Sequence, residues 1–472
     1  MKILLAGYNI DSSLINKLDS QSATPEVISA AYARISRSQK RVDQLRQEAL
    51  TEVAKARETN QKIIFDMGHA SVAEHAVFNF DIIDVSRLIT EQIQRSRLAS
   101  FTEKSQRYVT FKQSWVVPSE LKNRAKLKKA YNELVQALFD EYSQCVSVLS
   151  QKYATEFPEL KTRDRESRAK EDARYILPLA TKTQMGMTMN ARNLENLLQR
   201  LSKSPISEAQ EIKKKIIHAV KPIAPSLVKY TEKDEFTGKI DIQTVGLSSF
   251  LQQDFPWVAE LDLQTKVHLI SYTKNADDKI LAGIIYSQGE LAWDSNLEAV
   301  SRLQKIAKEQ LWQQIFRGMK VWDKCPRAFE LAEFEFELIM SESCWAQFKR
   351  HRMCTLLKKG GESNYMNIPS AIEEINRADI WKGLQHDIDC LSDAIPNKIS
   401  HIRGYLKLNA NLCRIYAKMN LREIYHFVRL RSDSHAQWEI RELSKDICNT
   451  VTNLAPNAAR LLCGKSEFKQ IY

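Results

Sequence analysis

The sequence predicts an α+β protein made of two tandem copies of one domain. Three observations lead there: four motifs recur in the same order, each copy joins alternating strand patterns to amphipathic helices, and 472 residues exceed one ordinary core.

In the first copy Phe78, Phe80 and Ile82 alternate with polar neighbours, the two-residue period of a half-buried strand. Ser86 is suited to cap a helix that runs into Arg95-Ser96-Arg97. Residues 126–149 place Tyr131, Leu134, Leu138 and Tyr142 on one helical stripe. NARNLENLLQRL (190–201) is followed by Ala209-Gln210-Glu211-Ile212 and by Ala224-Pro225. The second copy repeats the series with Phe334, Phe336 and Leu338, then Ser341, Arg350-His351-Arg352 and NLREIYHFVRLR (420–431). Ala436-Gln437 with Glu439-Ile440, and Ala455-Pro456, complete it. The Arg-x-Arg triplets lie 255 residues apart (95 to 350) and the Asn motifs 230 (190 to 420), so the second copy is shorter between them. The polar, turn-rich stretch 231–245 sets the expected boundary, giving copies of 1–235 and 236–472.

Composition narrows the function. With 43% hydrophobic and 27% charged residues, 13 Gly and 12 Pro, collagen-like, low-complexity and disordered chains are excluded. No apolar run reaches the roughly 18 residues of a membrane span, and the N-terminus shows no cleavable signal pattern. Eight Cys without a CxxC pair, seven of them beyond residue 320, fit reduced thiols in a cytoplasmic protein. The net charge of +11 favours anionic partners. The Arg clusters sit in short patterned motifs, which points to small anionic ligands and not to nucleic acid. His69 and His75 lie six apart, with Glu74 beside them and no further ligand nearby, so no metal is expected.

Taken together, GHASVAEHAVFNF (68–80), RSRLASFTEKSQRY (95–108), ARYILPL (173–179), RHRMCT (350–355) and LRSDSHAQWEIR (430–441) resemble the flavin-dependent thymidylate synthases, whose signature is RHRxxSxNExSxR. The resemblance covers most of each copy and is weakest over 235–320. It implies an antiparallel sheet with long helices, FAD as cofactor, and reductive methylation of dUMP to dTMP with methylenetetrahydrofolate and NADPH as co-substrates. No enzyme nucleophile is then needed, and the protein supplies orientation and electrostatics.

Neither copy carries the whole pattern. Ser96 replaces the signature His and Thr102 its Asn in the first copy, whereas Glu103, Ser105 and Arg107 remain. Arg350, His351 and Arg352 are intact in the second copy, but its following loop reads LLKKGGE (356–362). The Arg that the family sets against the uracil ring matches Arg431, and counting puts Leu201 in that place in the first copy. The losses are complementary, so the resemblance implies one composite nucleotide site. Gln347, Arg350 and Arg431 would come from the second copy, and Glu103, Lys104, Ser105, Gln106, Arg107 and Arg174 from the first. Gln347 and Arg350 lie three apart on a helix and can address one ligand, and Arg forks suit a phosphate. Arg431 and His351 are the expected catalytic residues. The family's flavin contacts match Ser71, Glu74, Glu103, Asn190, Arg192, Asn196, Arg350, His351, Arg352, Asn420 and Arg422, with His426 in place of the later Asn. A homodimer that mimics the family's tetramer is expected. Two other readings stay open: the same chemistry on another pyrimidine nucleotide, and a non-catalytic FAD- or nucleotide-binding scaffold.

Overall fold

The computed structural model describes residues 1–14, 23–35, 38–111, 113–232, 265–359 and 365–471. The expected boundary at 235/236 and the segment Gly360–Glu362 lie outside them.

The alternating pattern at Phe78, Phe80 and Ile82 becomes strand β2 (Val77–Ser86), whose inward side chains are fully buried while Asn79 and Asp81 face out. It is central in an antiparallel sheet of order β1 (Lys2–Tyr8), β2, β4 (Lys182–Asn190), β3 (Ala99–Glu103). Four helices matter for the site: α1 (Arg87–Ile93), α2 (Ala125–Glu156), α3 (Thr162–Ala173) and α4 (Ala191–Ser202), with α5 (Ser207–Val220) following. The buried stripe of α2 runs Tyr131, Val135, Leu138, Tyr142, at helical spacing. Leu134, expected on it, is half-buried one position away.

The second sheet repeats the order: β5 (Val267–Tyr272), β6 (Glu333–Ser341), β8 (Leu412–Asn420), β7 (Thr355–Lys358). Its helices are α6 (Glu342–Phe348), α7 (Ala378–Ala394), α8 (Leu421–Arg431) and α9 (Trp438–Leu454). The duplication read from the sequence is therefore a duplication of topology.

Both copies close the strand-to-helix corner in the same way. Ser86 caps α1, accepting from Ile89 N–H, and Ser341 caps α6, accepting from Cys344 N–H. Each capping serine is in turn gripped by a buried glutamate. Glu208 accepts from Ser86 N–H at 2.8 Å and from its hydroxyl at 2.6 Å; Glu439 accepts from Ser341 N–H at 2.8 Å and from its hydroxyl. Tyr405 donates a third bond to Glu208. Burial raises the Glu208 pKa. The matched pair is thus Glu208 with Glu439, not Glu211 with Glu439 as the Ala-Gln-Glu-Ile alignment suggests.

By contacts the chain forms two compact units, residues 1–259 with 370–408, and residues 260–369 with 409–472. The first unit therefore includes a stretch from the middle of the second repeat. Within it, Glu141 of α2 accepts from Arg377 and from Trp381 Nε1 at 3.0 Å, which fastens the start of α7. Leu179 and Ala180 N–H donate to Lys407 and Tyr405 carbonyls. Among the described residues no helix is long and apolar enough to cross a membrane.

Candidate functional site

In the first unit the ends of β3 and α3 bring the expected anion-binding residues together. Glu103, the last residue of β3, receives two 2.7 Å bonds from Arg87 of α1 and one of 2.8 Å from Gln94. The pair is almost fully buried, at 7% and 5% side-chain exposure, which makes it a fixed strut at the base of the loop that follows. On that loop Ser105 Oγ accepts from Arg107 N–H, and Arg107 Nε donates to Glu171 of α3 at 2.5 Å. Arg174, one turn on, donates to the Glu171 carbonyl. Its pKa is lowered by burial, with Arg107 and Arg87 adding to the depression. Three guanidiniums thus act on one another at this place, among the carboxylates of Glu91, Glu103 and Glu171. Gln106 is buried and Lys104 lies over the Phe111 ring.

The second unit assembles the other group. Arg431, last residue of α8, donates from Nε to His351 Nε2 at 3.0 Å and from Nη2 to the Gln347 carbonyl at 3.3 Å. Gln347 and His351 sit at and just beyond the end of α6, next to Arg350 and Arg352. His351 is only 3% exposed. Its pKa is held well below the ordinary imidazole range, first by burial, then by Arg431, His426 and Arg350. It packs edge-on against Phe427 and His426. The imidazole is therefore neutral at pH 7, with its Nε2 lone pair aimed at the guanidinium.

The same corner in the first unit departs from the expectation at Leu201. Arg200, not Leu201, fills the place of Arg431: it donates to the Gln92 carbonyl at 3.0 Å and to Ser96 Oγ at 2.7 Å. Gln92 and Ser96 are the counterparts of Gln347 and His351 by the 255-residue offset. Burial, aided by Arg95, lowers the Arg200 pKa to about 10. Leu201 is a core residue.

A second difference lies in the buried ion pair at the base of the loop. The position of Arg87 is Glu342 in the second copy and that of Glu103 is Lys358; those two also form an ion pair, with the charges exchanged. The strand positions agree, since Glu103 pairs with Met185 and Lys358 with Ile415.

Asn190, Arg192, Asn196, Asn420 and Arg422, among the expected flavin contacts, lie on or at the start of the two Asn-capped helices. Asn190 and Asn420 each accept from the backbone N–H three residues on, capping α4 and α8. Arg192 pairs with Glu74 at 2.5 Å, and Arg422 with Glu330 at 2.8 Å, so this pair is kept in both copies. Ser71 and Asn196 are exposed.

A family model described as "Thymidylate synthase complementing protein" matches residues 17–226 and 268–457, that is, both copies. A flavin-dependent thymidylate synthase of Clostridium tetani is 32% identical over 217 residues, 46% of this chain and 85% of the relative. The UPF0159 protein of Thermoplasma acidophilum is 22% identical over 494 aligned residues, covering 96% of this chain and 95% of the relative. A crystal structure of the flavin-dependent thymidylate synthase of Helicobacter pylori, complexed with FAD and dUMP, aligns with 48% of this chain and all of its own, at 20% identity and a TM-score of 0.30.

Proposed function

The chain belongs to the thymidylate synthase complementing protein family, and from that premise we propose that it is an FAD-dependent methyltransferase that converts dUMP to dTMP. Methylenetetrahydrofolate would give the carbon and NADPH the reducing equivalents. The observation that supports this best is the division of labour between the copies, 1–235 and 236–472. Arg431, seated on His351 and the Gln347 carbonyl, belongs to one; the loop Glu103–Arg107 with Arg174 belongs to the other. A nucleotide site drawing on both copies would then hold phosphate with Arg107, Arg174 and Ser105, and the ring with Arg431.

The residues present suit a flavin. Arg192 and Arg422 keep 48% and 36% side-chain exposure although each is anchored by a glutamate, so guanidinium edges remain available to a pyrophosphate. Ser71, Glu74, Asn190, Asn196, Asn420, Arg350 and Arg352 complete the set. Bound flavin would supply the redox chemistry. The chain's own part is to orient the nucleotide and to stabilise, through Arg431, the negative charge that develops on the pyrimidine. His351, neutral and buried, accepts from Arg431 and fixes its direction. A homodimer presenting four copies is the proposed assembly. Expression in a thymidine auxotroph tests the reading: growth without thymidine supports it, and no growth from well-expressed, flavin-loaded protein contradicts it.

A further inference from the structure

Next to Arg431 the second half carries a buried carboxyl that the proposed site does not use. Glu423, in the first turn of α8, is 8% exposed, and its Oε1 lies 3.6 Å from His351 Nδ1. Its backbone N–H is already capped by Asn420, so its side chain has no capping duty. On the other edge of the imidazole, the Nε–H of Arg431 can only donate, so Nε2 must offer its lone pair and the ring proton must sit on Nδ1. That Nδ1 is buried and makes no hydrogen bond, and the Glu423 carboxyl is the acidic group beside it.

We propose that Glu423 is a positioning residue for Arg431: by attracting the Nδ1 proton it fixes the His351 tautomer, and that tautomer fixes the guanidinium. Either protonation state of the carboxyl keeps an oxygen able to accept, so the device does not depend on Glu423 being charged. The first copy has no such chain. Ser96 replaces the imidazole, and a hydroxyl has no tautomer to set; the counterpart of Glu423 is Asn193, whose amide donates to Asn190 at 2.8 Å.

The inference rests on Arg431 acting on the pyrimidine, and its test separates the two claims. In flavin-loaded full-length protein, nitrogen-15 histidine spectra should show His351 as a single Nδ1–H tautomer. Glu423→Gln, whose amide oxygen can accept the same proton, should keep that tautomer and keep kcat with dUMP within about threefold. Glu423→Leu should give mixed tautomers and lower kcat roughly tenfold or more, with KM moved less than about threefold. A wild-type His351 protonated on Nε2 overturns the proposal without any variant. So does a folded Glu423→Leu protein with the wild-type tautomer and kcat, or a Glu423→Gln protein as impaired as Glu423→Leu. If wild type does not turn over dUMP, the proposed function fails, and the spectra still decide the role of Glu423.

Discussion

In the first half Arg200 is met by a serine hydroxyl, whereas in the second Arg431 is met by a buried, neutral imidazole with a carboxyl behind it. In the first half the strut beneath the loop after the third strand is Arg87 against Glu103; in the second it is Glu342 against Lys358. Five features around these points are shared: sheet order, capping serines, their glutamates, the capping asparagines and the Arg–Glu pairs at Glu74 and Glu330. The difference shows a scaffold kept in both copies while the residues at these two corners have separated. A buried pair can be inverted, since each charge still finds its partner, but it cannot be half-changed.

The largest expected effect tests that last point. Glu342→Arg sets a cation against Lys358 in a nearly buried place and should cost about 3–5 kcal/mol of stability. Glu342→Arg with Lys358→Glu, which reproduces the first copy's polarity, should recover most of the loss. Denaturant unfolding measures both, and no recovery in the double variant would break the equivalence of the two struts.

Next comes the unequal use of the two guanidiniums. Arg431→Ala should lower turnover roughly a hundredfold or more, as loss of a charge-stabilising donor does. Arg107→Ala should raise the dissociation constant for dUMP by about one to two orders of magnitude. Arg200→Ala and Arg95→Ala, at the counterpart corner, should leave activity within about threefold. Equal damage from Arg200→Ala and Arg431→Ala in folded proteins would mean that both corners serve.

The imidazole gives the halves different acid sensitivity. The folded pKa of His351 lies below the unfolded value near 6.5, so the unfolded chain binds more protons in the window between them. Its contribution is fully present above about pH 6.5 and is lost as pH falls toward the folded value. Thermal unfolding from pH 7.5 to 5 should show this loss, and His351→Gln should reduce it. A profile unchanged by that substitution would remove the buried neutral histidine from the account.

The smallest effect should be the same in both halves. Asn190→Ala and Asn420→Ala each delete a helix cap, at about 1 kcal/mol apiece in flavin-free protein.

What the sequence disclosed was local: two-residue strand alternation, serines and asparagines at helix starts, and the repeated order of motifs. Arg200 was hidden because counting from Asn190 reaches Leu201, while a long side chain one position earlier reaches Gln92 and Ser96 instead. Glu208 was hidden because Ala-Gln-Glu-Ile supplied a better string match at Glu211 than the true partner of Ser86. The inverted strut joins residues 16 apart, and propensity carries no trace of such a pair. It could have been found by noting that 87 and 103 map to 342 and 358 by one offset, with opposite charges at both ends. Glu423 resembles any first-turn acid of a helix until its distance to His351 is known.

The proposed function has the two copies share one nucleotide site, and the position of Arg107 is Glu362 in the second copy. Calorimetric titration of the flavin-loaded protein with dUMP tests it most directly. One nucleotide bound per chain is the expected result, with the affinity weakened about one to two orders of magnitude by Arg107→Ala. A stoichiometry near two would contradict it.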